Sequence, residues 1–158
     1  NSALVKGVNR AWDAGLVVVV AAGNNGPRTM SITTPGISRK VITVGCSDDD
    51  REVLVGGNRM VDYSGRGPTA ACICKPDLVA PGCSVVSCAG RADKYTIKSG
   101  TSMSTPIVSG ATALLLERYP DMTNKDVKLK LRESCTDIGL PRNQQGWGLL
   151  DVEKLVSK

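Results

Sequence analysis

Residues 16–22 read Leu-Val-Val-Val-Val-Ala-Ala, an apolar run with four valines in succession. A run so short and so β-branched specifies a strand, and its lack of polar alternation suits a strand covered on both faces. Such strands belong to parallel sheets, whose crossover helices supply the cover. The flanks agree. In residues 2–14, Leu4, Val5, Val8, Ala11 and Trp12 recur at helical spacing, and Gly15 suits the position after a helix end. Strands are expected at 41–45, 78–80, 84–87 and 95–98, and a hairpin over 52–63 around Gly56-Gly57-Asn58. Residues 102–118 read as a long apolar helix, with Pro106 tolerable only in its first turn. Thr123 opens another helix, with Asp126 completing an imperfect capping box, and 151–156 form a short terminal helix. Strands alternating with helices give an α/β fold with a mostly parallel sheet flanked by helices. The 158 residues, 1–158, suffice for one domain of ordinary size.

Charge narrows the partners. Lys and Arg number 20 against 15 Asp and Glu, a net charge of +5. Nucleic-acid binders cluster such charge with aromatics on one face. Here aromatics are 3% of residues and the basic residues are scattered, so no nucleic-acid partner is expected. Lys125, Lys128, Lys130 and Arg132 alternate with apolar residues and read as the solvated face of an amphipathic helix. No apolar run reaches spanning length, so no membrane partner is expected.

Six cysteines occur, at 46, 72, 74, 83, 88 and 135. Cys83 and Cys88 fit zinc spacing only loosely and flank a strand whose alternation would separate them. The six therefore read as free thiols of a reducing compartment, which points to the cytoplasm, with secretion as the alternative. Asp48-Asp49-Asp50 lacks the spaced ligands and glycine of a calcium loop and reads as an exposed turn.

The chemistry concentrates in Gly100-Thr101-Ser102-Met103-Ser104-Thr105-Pro106. A small turn running into a helix presents a serine hydroxyl where free backbone N–H groups and the helix dipole favour developing negative charge. A helix N-cap is the structural reading of the same serine. A serine nucleophile needs a base, and the chain contains no histidine.

Residues 100–106, followed by Val108-Ser109-Gly110, resemble the nucleophile segment of the subtilisin-like serine proteases. Ala21-Ala22-Gly23-Asn24-Asn25-Gly26 resembles that family's oxyanion-hole loop. Tyr63-Ser64-Gly65-Arg66-Gly67-Pro68 and residues 75–82, Lys-Pro-Asp-Leu-Val-Ala-Pro-Gly, resemble the two stretches between them, in the family's order. The resemblance implies the C-terminal half of a subtilisin-like three-layer fold, with the triad Asp and His upstream of Asn1. It implies a serine endopeptidase acting through an acyl-enzyme, with Ser102 as nucleophile and Asn24, together with the Ser102 N–H, as oxyanion donors. Ala21, Ala22 and Gly23 would wall the substrate pocket, Thr33 to Gly36 would lie across its base, and Gly100 and Thr101 would complete the site. Protein or peptide substrates follow, as does a missing N-terminal half whose absence would leave this chain inactive and prone to self-association. No cofactor or catalytic metal is required. Calcium, which relatives bind through other segments, has only backbone carbonyls near residues 36–41 to suggest it. The block at 63–69 with 75–82 most resembles intracellular alkaline bacterial members. A non-catalytic binding or regulatory module on the same fold is the alternative.

Overall fold

The structure, a computed structural model, describes residues 2–90 and 94–157. Helix α1 (Ala3–Asp13) is capped by Ser2, whose hydroxyl accepts from the Leu4 N–H, and ends before Gly15 at φ +93°. Strand β1 (Val19–Ala21) pairs in parallel with β2 (Ile42–Cys46), Val19 opposite Ile42, and β2 pairs in parallel with β5 (Leu78–Ala80), Val44 opposite Leu78. The sheet order is therefore β1-β2-β5. Two hairpins project from it: β3 (Val53–Val55) with β4 (Asn58–Met60), and β6 (Val85–Cys88) with β7 (Tyr95–Lys98). Gly56 and Gly57 both have positive φ, +58° and +89°, which is what a two-residue turn matched to strand twist requires.

Helix α2 (Thr101–Arg118) lies across β1, β2 and β5 and meets α3 (Asn124–Ser134) and α5 (Val152–Val156). The main core joins Ile42, Val44, Leu78 and Ala80 of the sheet to Val108, Ala111 and Leu115 of α2, with Val127, Leu131, Leu155 and Trp12 closing it. A one-turn helix, α4 (Arg142–Gln145), went unread in the sequence. The result is a mixed α/β fold, a parallel sheet flanked by helices.

Several expectations need correcting. The 16–22 run forms only three residues of strand and is half-buried, because β1 is the sheet's edge among the described residues and Leu16 stays 61% exposed. Pro106 sits beyond the first turn of α2, and the helix continues through it. The carbonyl it deprives of a donor belongs to Ser102, an exposed residue that water reaches. The capping box at Thr123 is complete: its side chain accepts from the Asp126 N–H, and the Asp126 carboxylate accepts from the Thr123 N–H.

Candidate active site

Two distant segments meet around the start of α2. Gly100, at φ +140°, is its N-cap, and the Gly100 N–H donates to the Gly82 carbonyl at 2.9 Å. Thr101 is buried, and both its N–H and its hydroxyl donate to Asn24 Oδ1, each at 3.0 Å. The Thr101 hydroxyl in turn accepts from the Gly23 N–H at 3.2 Å. This closed ring ties the loop after β1 to the helix start across 77 residues of sequence. With Oδ1 engaged by two donors, the plane of the Asn24 amide is set. Its Nδ2 end carries no hydrogen bond among the described residues and lies beside Gly100, where a Cβ would stand 3.3 Å away. Gly100 thus serves both the unusual φ and the close approach of the amide.

Ser102 occupies the second helical position. It is exposed, and its hydroxyl has no hydrogen-bond partner among the described residues. The capping role is excluded, since Gly100 is the cap and no side chain caps this helix. The Met103 N–H donates back to the Gly100 carbonyl at 2.8 Å, whereas the Ser102 N–H is one of the helix's unpaired first-turn donors. A free hydroxyl, a free backbone N–H and a free carboxamide NH2 therefore share one corner of the molecule. Asn25, the alternative donor, is exposed and makes no side-chain hydrogen bond among the described residues.

Ala21 and the buried Ala22 lead from β1 to Gly23. Thr33 packs directly against this wall: its N–H and hydroxyl donate to the Ala22 carbonyl at 2.8 and 3.3 Å. A Cβ on Gly23 would stand 2.3 Å from Thr33 Oγ1, so Thr33 fills the space the glycine leaves. Gly36 is held behind by the Thr43 hydroxyl, which donates to its carbonyl at 2.7 Å. Ala21, Ala22, Gly23, Thr33 and Gly36 carry no charge.

A buried charge cluster holds the wall from below. Asp77 Oδ2 accepts from the Thr43 N–H at 2.7 Å and from Lys75 Nζ at 2.5 Å, and Lys128 Nζ approaches Asp77 Oδ1 at 3.5 Å. Burial pushes the Lys75 ammonium down to about 8, against the opposing pull of Asp77. Lys128 is not on a solvated face as the α3 pattern suggested. Its Nζ donates to the carbonyls of Arg39, Lys40 and Val41. Those three carbonyls lie within residues 36–41, the stretch that suggested a cation site.

The acidic run is likewise not an exposed turn. Asp49 is buried with Oδ2 accepting from the Ser64 N–H at 2.7 Å, and burial raises its carboxyl above the ordinary range. Asp48 Oδ1 accepts from the Gly82 and Cys83 N–H groups at 2.7 and 3.1 Å. Only Asp50 faces solvent. All six cysteines are free thiols. Spacing gave no sign that Cys46 and Cys83, 37 positions apart, would both lie 3.2 Å from the Tyr63 hydroxyl.

Residues 1–148 match the model of the Subtilase family, Peptidase_S8. The chain is 42% identical over 147 residues to Serine protease AprX of Bacillus subtilis (strain 168), covering 85% of this chain and 33% of that protein. It is 35% identical over 155 residues to Subtilisin DY of Bacillus licheniformis, covering 97% of this chain and 51% of that one. The chain thus spans about a third to a half of the curated relatives it matches. Among solved structures, the prenylagaramide maturation protease PagA aligns with a TM-score of 0.73 at 24% identity, over 96% of this chain and 53% of that one, and so shares its fold. No helix among the described residues is long and apolar enough to cross a membrane. By its matched length, its relatives and its fold, the chain belongs to the subtilase family of serine proteases.

Proposed function

We propose that this chain supplies the nucleophile and oxyanion-binding half of a serine endopeptidase. The observation that carries the reading is the unpartnered Ser102 hydroxyl at the second position of α2, beside an Asn24 amide whose Oδ1 is pinned by Thr101. Ser102 Oγ attacks the scissile carbonyl. The Asn24 NH2 and the Ser102 N–H then meet the oxygen as it becomes an anion, a charge the helix start also favours. Fixed donors need no reorganisation as the charge develops. The proton of Ser102 goes to a base outside these 158 residues, which contain no histidine. Protein or peptide chains are the substrates, and the uncharged wall at Ala21–Gly23, narrowed by Thr33, receives the residue preceding the scissile bond.

The same reading makes this chain inactive when alone and incomplete along β1. Val17, Val18 and Val19 line an apolar groove with Leu116 and Met122, and Leu16 projects beside it. A complementary half of the catalytic domain covers this edge in the active protein. In its absence a second copy does, since open strand edges and apolar patches recruit partners. The alternative reading is a non-catalytic module on the same fold. A fluorophosphonate probe separates the two when applied to the protein that carries the upstream half. Labelling confined to Ser102 and lost in Ser102→Ala supports the peptidase. Absent labelling, with the fold intact, supports the module.

A further inference from the structure

We propose that Cys46, Asp48 and Cys83 form a site for one soft divalent cation of the zinc or cadmium class. Cys46 is the last residue of β2 and is fully buried, Asp48 follows in the next loop, and Cys83 lies after β5. One ligand atom from each falls within 4.8 Å of the other two. Cys46 Sγ is 3.1 Å from Asp48 Oδ1, and the Tyr63 hydroxyl is 3.2 Å from both sulfurs. Zinc bonds of about 2.3 Å to sulfur and about 2.0–2.2 Å to oxygen place neighbouring tetrahedral ligands roughly 3.5–3.8 Å apart.

The donor set selects the metal. Two thiolates favour zinc, cadmium or similar ions and disfavour calcium and magnesium. On binding, the Cys46 and Cys83 S–H protons leave to solvent. A dication with two thiolates and one carboxylate then carries a net single negative charge. Asp48 Oδ1, 3.1 Å from Cys46 Sγ, faces the metal, and the Gly82 and Cys83 N–H groups hold the carboxylate in place. The Tyr63 hydroxyl, which donates to the Gly82 carbonyl at 3.3 Å and lies 3.2 Å from both sulfurs, turns its proton to a thiolate when the metal binds and orients it. Gly82 leaves the sulfur uncovered, since a Cβ there would stand 2.8 Å from Cys46 Sγ. Cys83 is partly exposed and provides the entry route. The site lies behind the turn that carries Ser102, because the Gly82 carbonyl accepts the Gly100 N–H at 2.9 Å.

Cadmium titration of the protein tests this, read by thiolate-to-cadmium charge-transfer absorbance in a non-chelating reductant. The other thiols are removed first, as Cys72→Ser, Cys74→Ser, Cys88→Ser and Cys135→Ala together. This background should bind one cadmium per chain, and zinc should displace it. Cys83→Ala should weaken binding by more than the roughly 10–100-fold that loss of an outer-shell partner costs. Asp48→Asn keeps the acceptor for Gly82 and should weaken it at least about tenfold. Circular dichroism should show each variant folded. Absence of a saturating band in the background, or an equal band in Cys83→Ala, overturns the site. A Cys46–Cys83 disulfide that forms in air, with no cadmium bound after reduction, overturns it as well.

Discussion

Asp77→Asn should be among the most damaging single-atom changes in this chain. The carboxylate is buried between Lys75 and Lys128, and Lys75 is 1% exposed. Asparagine keeps the shape and an oxygen for the Thr43 N–H but removes the only negative charge placed between the two ammoniums among the described residues. Breaking a buried ion pair from one side costs about 3–5 kcal/mol. A loss of about 3–5 kcal/mol is therefore expected in urea unfolding at pH 7.

The sign of the pH dependence makes the test specific. Lys75 is already lowered to about 8 in the folded protein, and losing Asp77 lowers it further. Between the folded and unfolded values the unfolded chain binds the extra proton, so stability from this group rises with pH. The deficit of Asp77→Asn should therefore shrink as pH rises towards about 8, by up to about 1.4 kcal/mol per unit, and level off above it, where the wild-type Lys75 sheds its own proton. Other alkaline effects are common to both proteins and cancel in the difference. Lys75→Met combined with Asp77→Asn should recover part of the loss at pH 7. A deficit below about 1 kcal/mol, the range of exposed pairs, or one that does not change with pH, would refute the reasoning.

Asn24→Ala should depress turnover of a peptide substrate with little change in KM, because its amide meets a fully anionic oxygen only in the transition state. The scale is about 10²–10³, taken from the measured case of subtilisin, a member of this family, and Asn25→Ala should be mild. Equal effects of the two would refute the assignment of the donor. On the alkaline side, burial raises the Cys46 thiol and pushes Cys135 up to about 12. Their contribution is fully present below about pH 8.5 and falls as pH rises, by up to about 1.4 kcal/mol per unit for each thiol. Under chelator, Cys46→Ala should flatten that limb by one proton's worth in pH-dependent thermal unfolding. Leu16→Lys should lower the apparent mass of the isolated chain in concentration-dependent light scattering, and an unchanged profile would remove β1 from the self-association surface.

What could be read from sequence was whatever lies within about a dozen adjacent residues. Helices α1, α2 and α3, the Gly56-Gly57 turn and the parallel strands follow from periodicity, capping residues and β-branching. The segment around Ser102 was readable for the same reason, since its glycine, its serine and the helix they open are contiguous. Even the misjudged features keep correct local types. β1 is a parallel strand, but nothing in 16–22 states what lies on its other side, so its burial was overestimated.

The misread residues share a different property: each is a polar side chain whose partner is remote. Lys128 falls at a helical position consistent with solvent, but its ammonium reaches carbonyls 87–89 positions earlier. Asp48 and Asp49 look like a solvated acidic turn until their acceptors are matched to donors at Gly82, Cys83 and Ser64. Hydropathy predicts exposure for all three, because burying a charge costs free energy unless a partner offsets it. Composition cannot show that partner. The site depends on the same class of contact, since Asn24 is positioned by Thr101 across 77 residues, and chemistry alone does not choose it over Asn25. In advance, only the resemblance to known proteases favours Asn24. It could not do the same for Cys46 and Cys83, because none of the blocks that carry the resemblance includes either residue. A motif therefore locates chemistry that relatives share, while donors remote in sequence become visible only when the fold brings them together.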